Sequence, residues 1–154
     1  MAYWLFKSEP ETFSIDDLKN RPNQTEPWDG VRNYQARNFL RDQVQINDKV
    51  LFYHSNCKVP GIVGIAQVVK AGYPDSSAWD AKSPYFDAKS TKDKPRWYRV
   101  DVRFEKKFDR IIRLQEIKQN PVLQGMQIAK KGNRLSITPL TKAEWNEVIK
   151  VALR

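Results

Sequence analysis

The chain has 154 residues, 40% of them hydrophobic and 29% charged, and 27 Lys and Arg against 18 Asp and Glu give a formal net charge of +9. That length suits a single domain, residues 1–154, whose core needs neither disulfides nor a structural metal. No apolar run is long enough to cross a bilayer, nothing before Tyr3 reads as a signal peptide, and the single cysteine, Cys57, excludes an internal disulfide framework and agrees with a reducing compartment. The positive charge favours a polyanionic partner, nucleic acid before membrane, through counterion release.

In chain order, Tyr3 to Lys7 reads as a short buried strand, stopped at Ser8-Glu9-Pro10 because proline cannot donate to a ladder. Ser14-Ile-Asp-Asp17 is a capping-box start for a short helix, with Asp16 and Asp17 as partners of the helix dipole. Arg21 to Pro27 reads as a polar loop. A helix begins at Tyr34 and ends near Asp42-Gln43. Lys49 to Ser55 is a strand with Val50 and Phe52 on one face and Leu51 and Tyr53 on the other. Gly61 to Lys70 is an apolar strand in which Gly61 and Gly64 predict a bulge or a close backbone approach.

Tyr73 to Pro95 is a long polar loop with one helical turn at Ser77–Ala81. Arg96 to Phe104 alternates cleanly, with Tyr98, Val100, Val102 and Phe104 on one side. The basic run from Arg103 to Arg113 reads as a solvated face, with a short strand at Ile111–Leu114 and a helical turn at Gln115–Lys118. Arg134 to Ile137 is expected as the final strand, closed by Pro139. Thr141-Lys-Ala-Glu144 is a second capping box, opening a terminal helix with Trp145, Val148, Ile149 and Ala152 on its apolar side. Several short strands with a few helices in one domain predict an α+β fold on a small, curved sheet or barrel.

The segment from Trp28 to Arg41 carries the most chemical information. Gly30 permits a sharp turn after Trp28 and Asp29, and Asn33 is placed to cap the following helix. Ala36, Phe39 and Leu40 share an apolar stripe. Tyr34, Arg37, Asn38 and Arg41 share the opposite face, with Arg32 just before them. Guanidinium forks, amides and aromatic rings together suit phosphate and a flat, hydrogen-bonding ring.

Catalytic signatures are missing: there is one histidine, His54, no zinc-ligand spacing, and no phosphate-binding or nucleophile-elbow motif. His54 and Cys57 are near in sequence, but such pairs ordinarily come from distant segments, so a packing role is the expectation. Instead, polar groups gather beside aromatics at likely strand ends: Lys7, Ser8, Trp28 to Asn38, His54, Ser55, Asn56, Tyr73, Trp97, Arg134 and Ser136. A base removed from its stack needs this combination of aromatic faces and edge-reading polar groups. Trp4 and Trp145 read as core.

The motifs Trp4-Leu-Phe-Lys-Ser-Glu-Pro10, Trp28-Asp-Gly-Val-Arg-Asn-Tyr-Gln-Ala-Arg-Asn38 and Phe52-Tyr-His-Ser-Asn56 resemble the EVE domain. Gly61-Ile-Val-Gly-Ile65, Ala71-Gly-Tyr-Pro-Asp75, Trp97 with Val100-Asp-Val102, and Arg134-Leu-Ser-Ile137 extend the likeness to nearly the whole chain. The resemblance implies a PUA-like fold, a small β-barrel of five to six strands flanked by helices and related to the YTH and SRA readers. It also implies a non-enzymatic module, without cofactor or metal, that reads a modified base, modified cytosine in DNA before RNA. Carried over by motif, the ligand-binding residues are Lys7, Ser8, Trp28, Arg32, Asn33, Tyr34, Arg37, Asn38, Ser55, Asn56, Tyr73, Trp97 and Ser136, with His54 and Arg134 beside them.

On this reading Trp28, with Trp97 or Tyr73, stacks on the base. Asn33, Ser55 and Asn56 read its edge, and Lys7, Arg32, Arg37 and Arg134 hold phosphates. A monomer is expected. The lack of a basic extension ahead of Trp4 resembles the bacterial form and implies a cytoplasmic, nucleoid-associated location, or a nuclear one in a eukaryote. The competing expectation is an enzyme acting on RNA or a nucleotide, with Lys7, His54 or Cys57 as the reactive group. A weaker one is an interaction module built on the Tyr73–Pro95 loop.

Overall fold

Alternation along the strands decides the layering. In the computed structural model, which describes residues 1–154, strand β1 (Tyr3–Ser8) sends Trp4 and Phe6 to one side of the sheet and Leu5 to the other. Strand β3 (Lys49–His54) does the same with Val50 and Phe52 against Leu51 and Tyr53, as its pattern predicts. Two buried clusters result, one on each face. The first is covered by Ile15 and Leu18 of helix α1 (Ile15–Lys19) and by Ala36 and Leu40 of helix α2 (Tyr34–Asn38) with its continuation. The second is covered by Ile117 of helix α3 (Leu114–Gln119) and by Trp145, Val148 and Val151 of helix α4 (Lys142–Ala152).

Six strands form one mixed sheet. Strand β4 (Gly61–Pro74) pairs antiparallel with both β3 and the 16-residue strand β5 (Tyr98–Arg113). β1 lies parallel to β3 and antiparallel to strand β6 (Ile137–Leu140). Strand β2 (Thr25–Pro27) pairs with Asp101 to Arg103 of β5. The spatial order is β2-β5-β4-β3-β1-β6. The ladder does not close into a barrel, since β2 and β6 are edges. Each edge strand is short and contains a proline, Pro27 or Pro139, which blunts pairing with another chain.

Both capping boxes form as read. Ser14 Oγ accepts from the Asp17 N–H and Thr141 Oγ1 from the Glu144 N–H. Asn33 caps α2 by accepting from the Ala36 N–H at 3.0 Å. That helix then widens into a π-turn over Phe39–Gln43, where the Val44 N–H reaches back five residues to the Phe39 carbonyl. Trp4 is core, and its indole N–H donates to buried Asp48 at 2.9 Å.

Three segments differ from their sequence expectation. β2 lies in the stretch read as polar loop, because a three-residue edge strand shows no alternation and owes its pairing to β5. The run from Arg103 to Arg113 is solvated as read, with Arg103, Lys106 and Lys107 exposed, but it is also the C-terminal part of β5, which continues through repeated register shifts against β4. The last strand begins at Ile137, leaving Arg134 to Ser136 as a loop tied to β1 by the Lys7 N–H on the Ser136 carbonyl at 2.8 Å. Pro139 lies within β6, which its edge position permits.

The expectation for Gly61 and Gly64 holds. A Cβ at Gly64 would collide with the Lys106 carbonyl oxygen, and one at Gly61 with that of Ile112. Gly64 lies where β4 shifts register against β5, and at both glycines the two backbones approach closely. At Gly125 nothing stands within 4 Å of a Cβ. Gly64→Ala is therefore expected to destabilise the protein by about 3 kcal/mol in urea unfolding, while Gly125→Ala changes stability by less than about 0.5 kcal/mol.

Candidate nucleic-acid interface

The chain from Trp28 to Arg32 turns across the end of β2 and is pinned there by one carboxylate. Asp75, at 0% exposure, accepts the Gly30 N–H at 3.0 Å and the Arg32 Nη1–H at 3.1 Å through one oxygen. Its other oxygen accepts the Ser77 N–H at 2.9 Å and hydroxyl at 2.5 Å. Gly30 has φ of +81°, and a Cβ there would sit 2.5 Å from the Tyr85 ring. Glycine is required twice over, by the turn and by the ring packed against it. Arg32 completes the clamp: its Nε and Nη2 both donate to the Tyr85 carbonyl, at 3.1 and 2.6 Å. The loop carrying Tyr85 is thereby fastened to the turn following Trp28.

These segments enclose a cavity of about 480 Å³, within the range of small-molecule sites. Trp28, Phe13 and Val31 provide its apolar wall, with Tyr85 beside them. Lys7, Ser8, Thr12 and Ser136 supply donors, and Arg21 and Arg32 supply guanidinium groups. Three carboxylates, Glu9, Glu26 and Asp29, also line it, and Glu9 accepts from Asn56. One oxygen of Asp29 accepts from Arg99 Nη1 at 2.7 Å, and the other has no protein donor. Glu26 has Arg21 at 3.4 Å as its ion-pair partner.

The cavity's electrostatics follow from this enclosure. Burial pushes the Asp29 carboxyl above its ordinary range, against the opposing hydrogen bond from Arg99. Burial likewise raises Glu26, opposed by the Arg21 charge. Burial also lowers the pKa of Lys7. Asp75 goes the other way: burial alone would raise it, but hydrogen bonds from Ser77, Gly30 and Arg32 hold it below the ordinary carboxylate range.

Of the residues singled out in the sequence, Lys7, Ser8, Trp28, Arg32 and Ser136 meet at this cavity. Trp28 is only 7% exposed. Its ring packs at 5.3 Å from Phe6 and edge-on at 5.4 Å from Phe52, so it walls the cavity from within the core and does not stand free as a plate. Trp97, at 5% exposure, does not line the cavity. It stacks on Tyr34 at 4.8 Å, lies under the Arg32 guanidinium, and donates its indole N–H to Asp87 at 2.7 Å. Tyr34, 51% exposed, is covered in turn by Arg37, which donates to the Arg96 carbonyl and to Asn38. Asn33 is committed to its cap.

The remaining expected residues also lie outside the cavity. Tyr73 bonds to Asp101, with Lys70 and Arg99 over its ring, and burial raises its phenol. His54 accepts the Ile15 N–H at 3.1 Å, at the start of α1, and burial lowers its pKa. The Ser55 N–H donates to the Ser8 carbonyl, and Asn56 donates to Glu9 at 3.1 Å. Arg134 is exposed, and neither it nor Cys57 lines the cavity.

Sequence reasoning missed Phe13, Arg21, Glu26, Asp29 and Tyr85 as lining residues. Asp29 had a signal, since it stands between Trp28 and the turn glycine. Tyr85 had none, because its place depends on the Arg32 clamp.

The Asp75 pin makes a quantitative prediction. Its folded-state pKa is depressed, so its contribution is present above the ordinary carboxylate pKa of about 4 and is lost as pH falls through the lower folded value. Asp75→Asn should cost roughly 3 kcal/mol at pH 7 by breaking a buried charge-assisted cluster. The gap between the two proteins, measured by urea unfolding, should narrow as pH falls below about 4.

The EVE domain family model matches residues 2–151. Thymocyte nuclear protein 1 of Gallus gallus is 47% identical over 96% of this chain and 67% of its own length. A Pseudomonas syringae protein of known structure superimposes with a TM-score of 0.93 at 45% identity, over 98% of this chain and 99% of that one. Human THYN1 protein, in its complex with 5-methylcytosine-containing DNA, gives 0.92 at 42% identity, over 100% of this chain and 99% of that one. The YTH domain of Zygosaccharomyces rouxii MRB1 protein shares the fold at a TM-score of 0.56 and 12% identity. The chain is a member of the EVE-domain family.

Proposed function

We propose that this protein reads a modified base in nucleic acid, methylated cytosine in DNA, by taking that base into the cavity walled by Trp28, Phe13 and Tyr85. The observation that carries the reading is the set of carboxylates, Asp29 with Glu26 and Glu9, lining the cavity of an otherwise cationic protein. Cytosine offers an exocyclic amino donor where thymine offers a carbonyl acceptor. Asp29 lines the cavity, one of its oxygens is free of protein hydrogen bonds, and burial disfavours its charged form despite the ion pair with Arg99. An amino donor relieves that shortage, and a carbonyl oxygen worsens it. Glu26 adds a second acceptor on the same wall. The apolar side chains suit a ring methyl group.

Lys7, Arg21 and Arg32 supply cations at the same cavity for the flanking phosphates. The complex of human THYN1 protein with 5-methylcytosine-containing DNA supports the same ligand for a chain that superimposes on it so closely. The reading is of a binding module acting as a monomer. Of the groups the enzymatic alternative needs, Lys7 lines the cavity while His54 and Cys57 do not.

The test is a titration of oligonucleotides differing at one position, 5-methylcytosine, cytosine or thymine, at several salt concentrations. Wild type should prefer methylcytosine at every salt concentration, with affinity falling steeply as salt rises. Asp29→Asn should weaken methylcytosine binding roughly tenfold, about 1.4 kcal/mol, and erode the preference over thymine. Equal affinity for all three bases across the salt series would overturn the reading.

A further inference from the structure

Taking a base out of a duplex leaves a gap in the stack, and proteins that deform DNA commonly fill such a gap with an apolar side chain. Phe86 has the properties of such a wedge. It is 47% exposed, among the few large apolar side chains left in solvent, and it directly follows Tyr85, whose ring lines the cavity. A lone exposed aromatic on a floppy loop would mean little. Phe86, however, is held on both sides. The carbonyl of Tyr85 before it takes two hydrogen bonds from Arg32, at 3.1 and 2.6 Å. The N–H of Asp87 after it donates to the Ala78 carbonyl at 2.7 Å, while the Asp87 carboxylate accepts from Trp97 Nε1 at 2.7 Å and the Lys89 N–H at 3.0 Å. The Phe86 N–H itself donates to the Ser83 carbonyl at 3.2 Å.

The segment around it is cationic. Lys82, Lys89, Lys92 and Lys94 are all exposed, against exposed Asp80 and Asp93 and half-buried Asp87. A solvated phenyl ring on a hydrogen-bonded turn, next in sequence to a cavity-lining residue and within a segment carrying four exposed lysines, is matched in charge and shape to a base-pair step flanked by phosphates. We propose that Phe86 inserts into the duplex at the place vacated by the extracted base. It thereby stabilises the open state of DNA without touching the base being read. The proposal rests on the base-reading cavity described above and adds a residue that acts on the duplex alone.

The two ideas separate experimentally by strandedness. A single strand has no stack to repair, so the wedge contributes to duplex binding and not to single-strand binding. Phe86→Ala, whose fold is checked by thermal unfolding, should weaken binding to a methylcytosine duplex roughly tenfold and leave the methylated single strand within about twofold of wild type. Phe86→Leu should restore most of the duplex affinity. A 2-aminopurine next to the methylcytosine should brighten on binding wild type and less on binding Phe86→Ala. Equal losses on duplex and single strand, or no loss on either, would overturn the wedge while leaving the cavity reading in place. Wild-type binding to both forms without regard to the methyl group would remove the cavity reading, and the wedge with it.

Discussion

Asp75 is the constraint on which the rest of the site depends. It is a fully buried carboxylate on the sheet-side end of a long polar loop, and its acceptor sites are met by the distant Gly30–Arg32 turn and by Ser77 of its own loop. A buried carboxylate is costly without such partners, so the cluster either forms whole or not at all. Once formed, it sets the position of Gly30 and of Arg32. Arg32 then carries the effect outward, because a planar guanidinium cannot serve Asp75 and the Tyr85 carbonyl at once unless both stand at set distances. The cavity's aromatic side is in this sense specified by a charge that never touches it.

The same clamp gives a role to a feature of helix α2 that the sequence alone suggests belongs to a pocket. Arg32, Trp97, Tyr34 and Arg37 form a column in which two stacked aromatic rings lie between two guanidinium groups. Each member covers the next, and Trp97 is anchored through Asp87. Such contacts contribute modestly one by one, on the order of 0.5–1 kcal/mol at exposed sites. Their combined effect is geometric: the column holds the loop from Asp75 to Trp97 against α2, and so holds the Tyr85 side of the cavity closed against its Trp28 side.

Much of the fold was legible in the sequence because the strands obey simple alternation. Val50 and Phe52 against Leu51 and Tyr53 sort into two cores, Ser14 and Thr141 cap helices, and Gly61 and Gly64 mark close backbone approach. What escaped notice had no local signature. β2 is three residues long and borrows its regularity from β5. The basic run in β5 has the composition of a solvated face, and it stays in the ladder because bulges absorb the mismatch with β4. The site was legible in part for the same reason. The motif from Trp28 to Asn38 did mark the right neighbourhood, but residue type could not tell a side chain that lines the cavity from one that braces it. Asn33, Tyr34 and Arg37 spend their polar and aromatic character on the brace.

Net charge and local chemistry point in different directions here, and the difference is informative. A formal charge of +9 draws any nucleic acid and carries no selectivity. Selectivity has to come from groups that oppose that field, and the cavity contains three carboxylates, of which Asp29 and Glu26 are raised above their ordinary pKa by burial. Keeping a carboxylate short of donors next to a polyanion site weakens non-specific binding as well as stability. The arrangement is favourable only when an arriving group brings the missing hydrogen. On the proposed reading, long-range attraction delivers the strand, and the free oxygen of Asp29 disfavours a base that cannot donate to it.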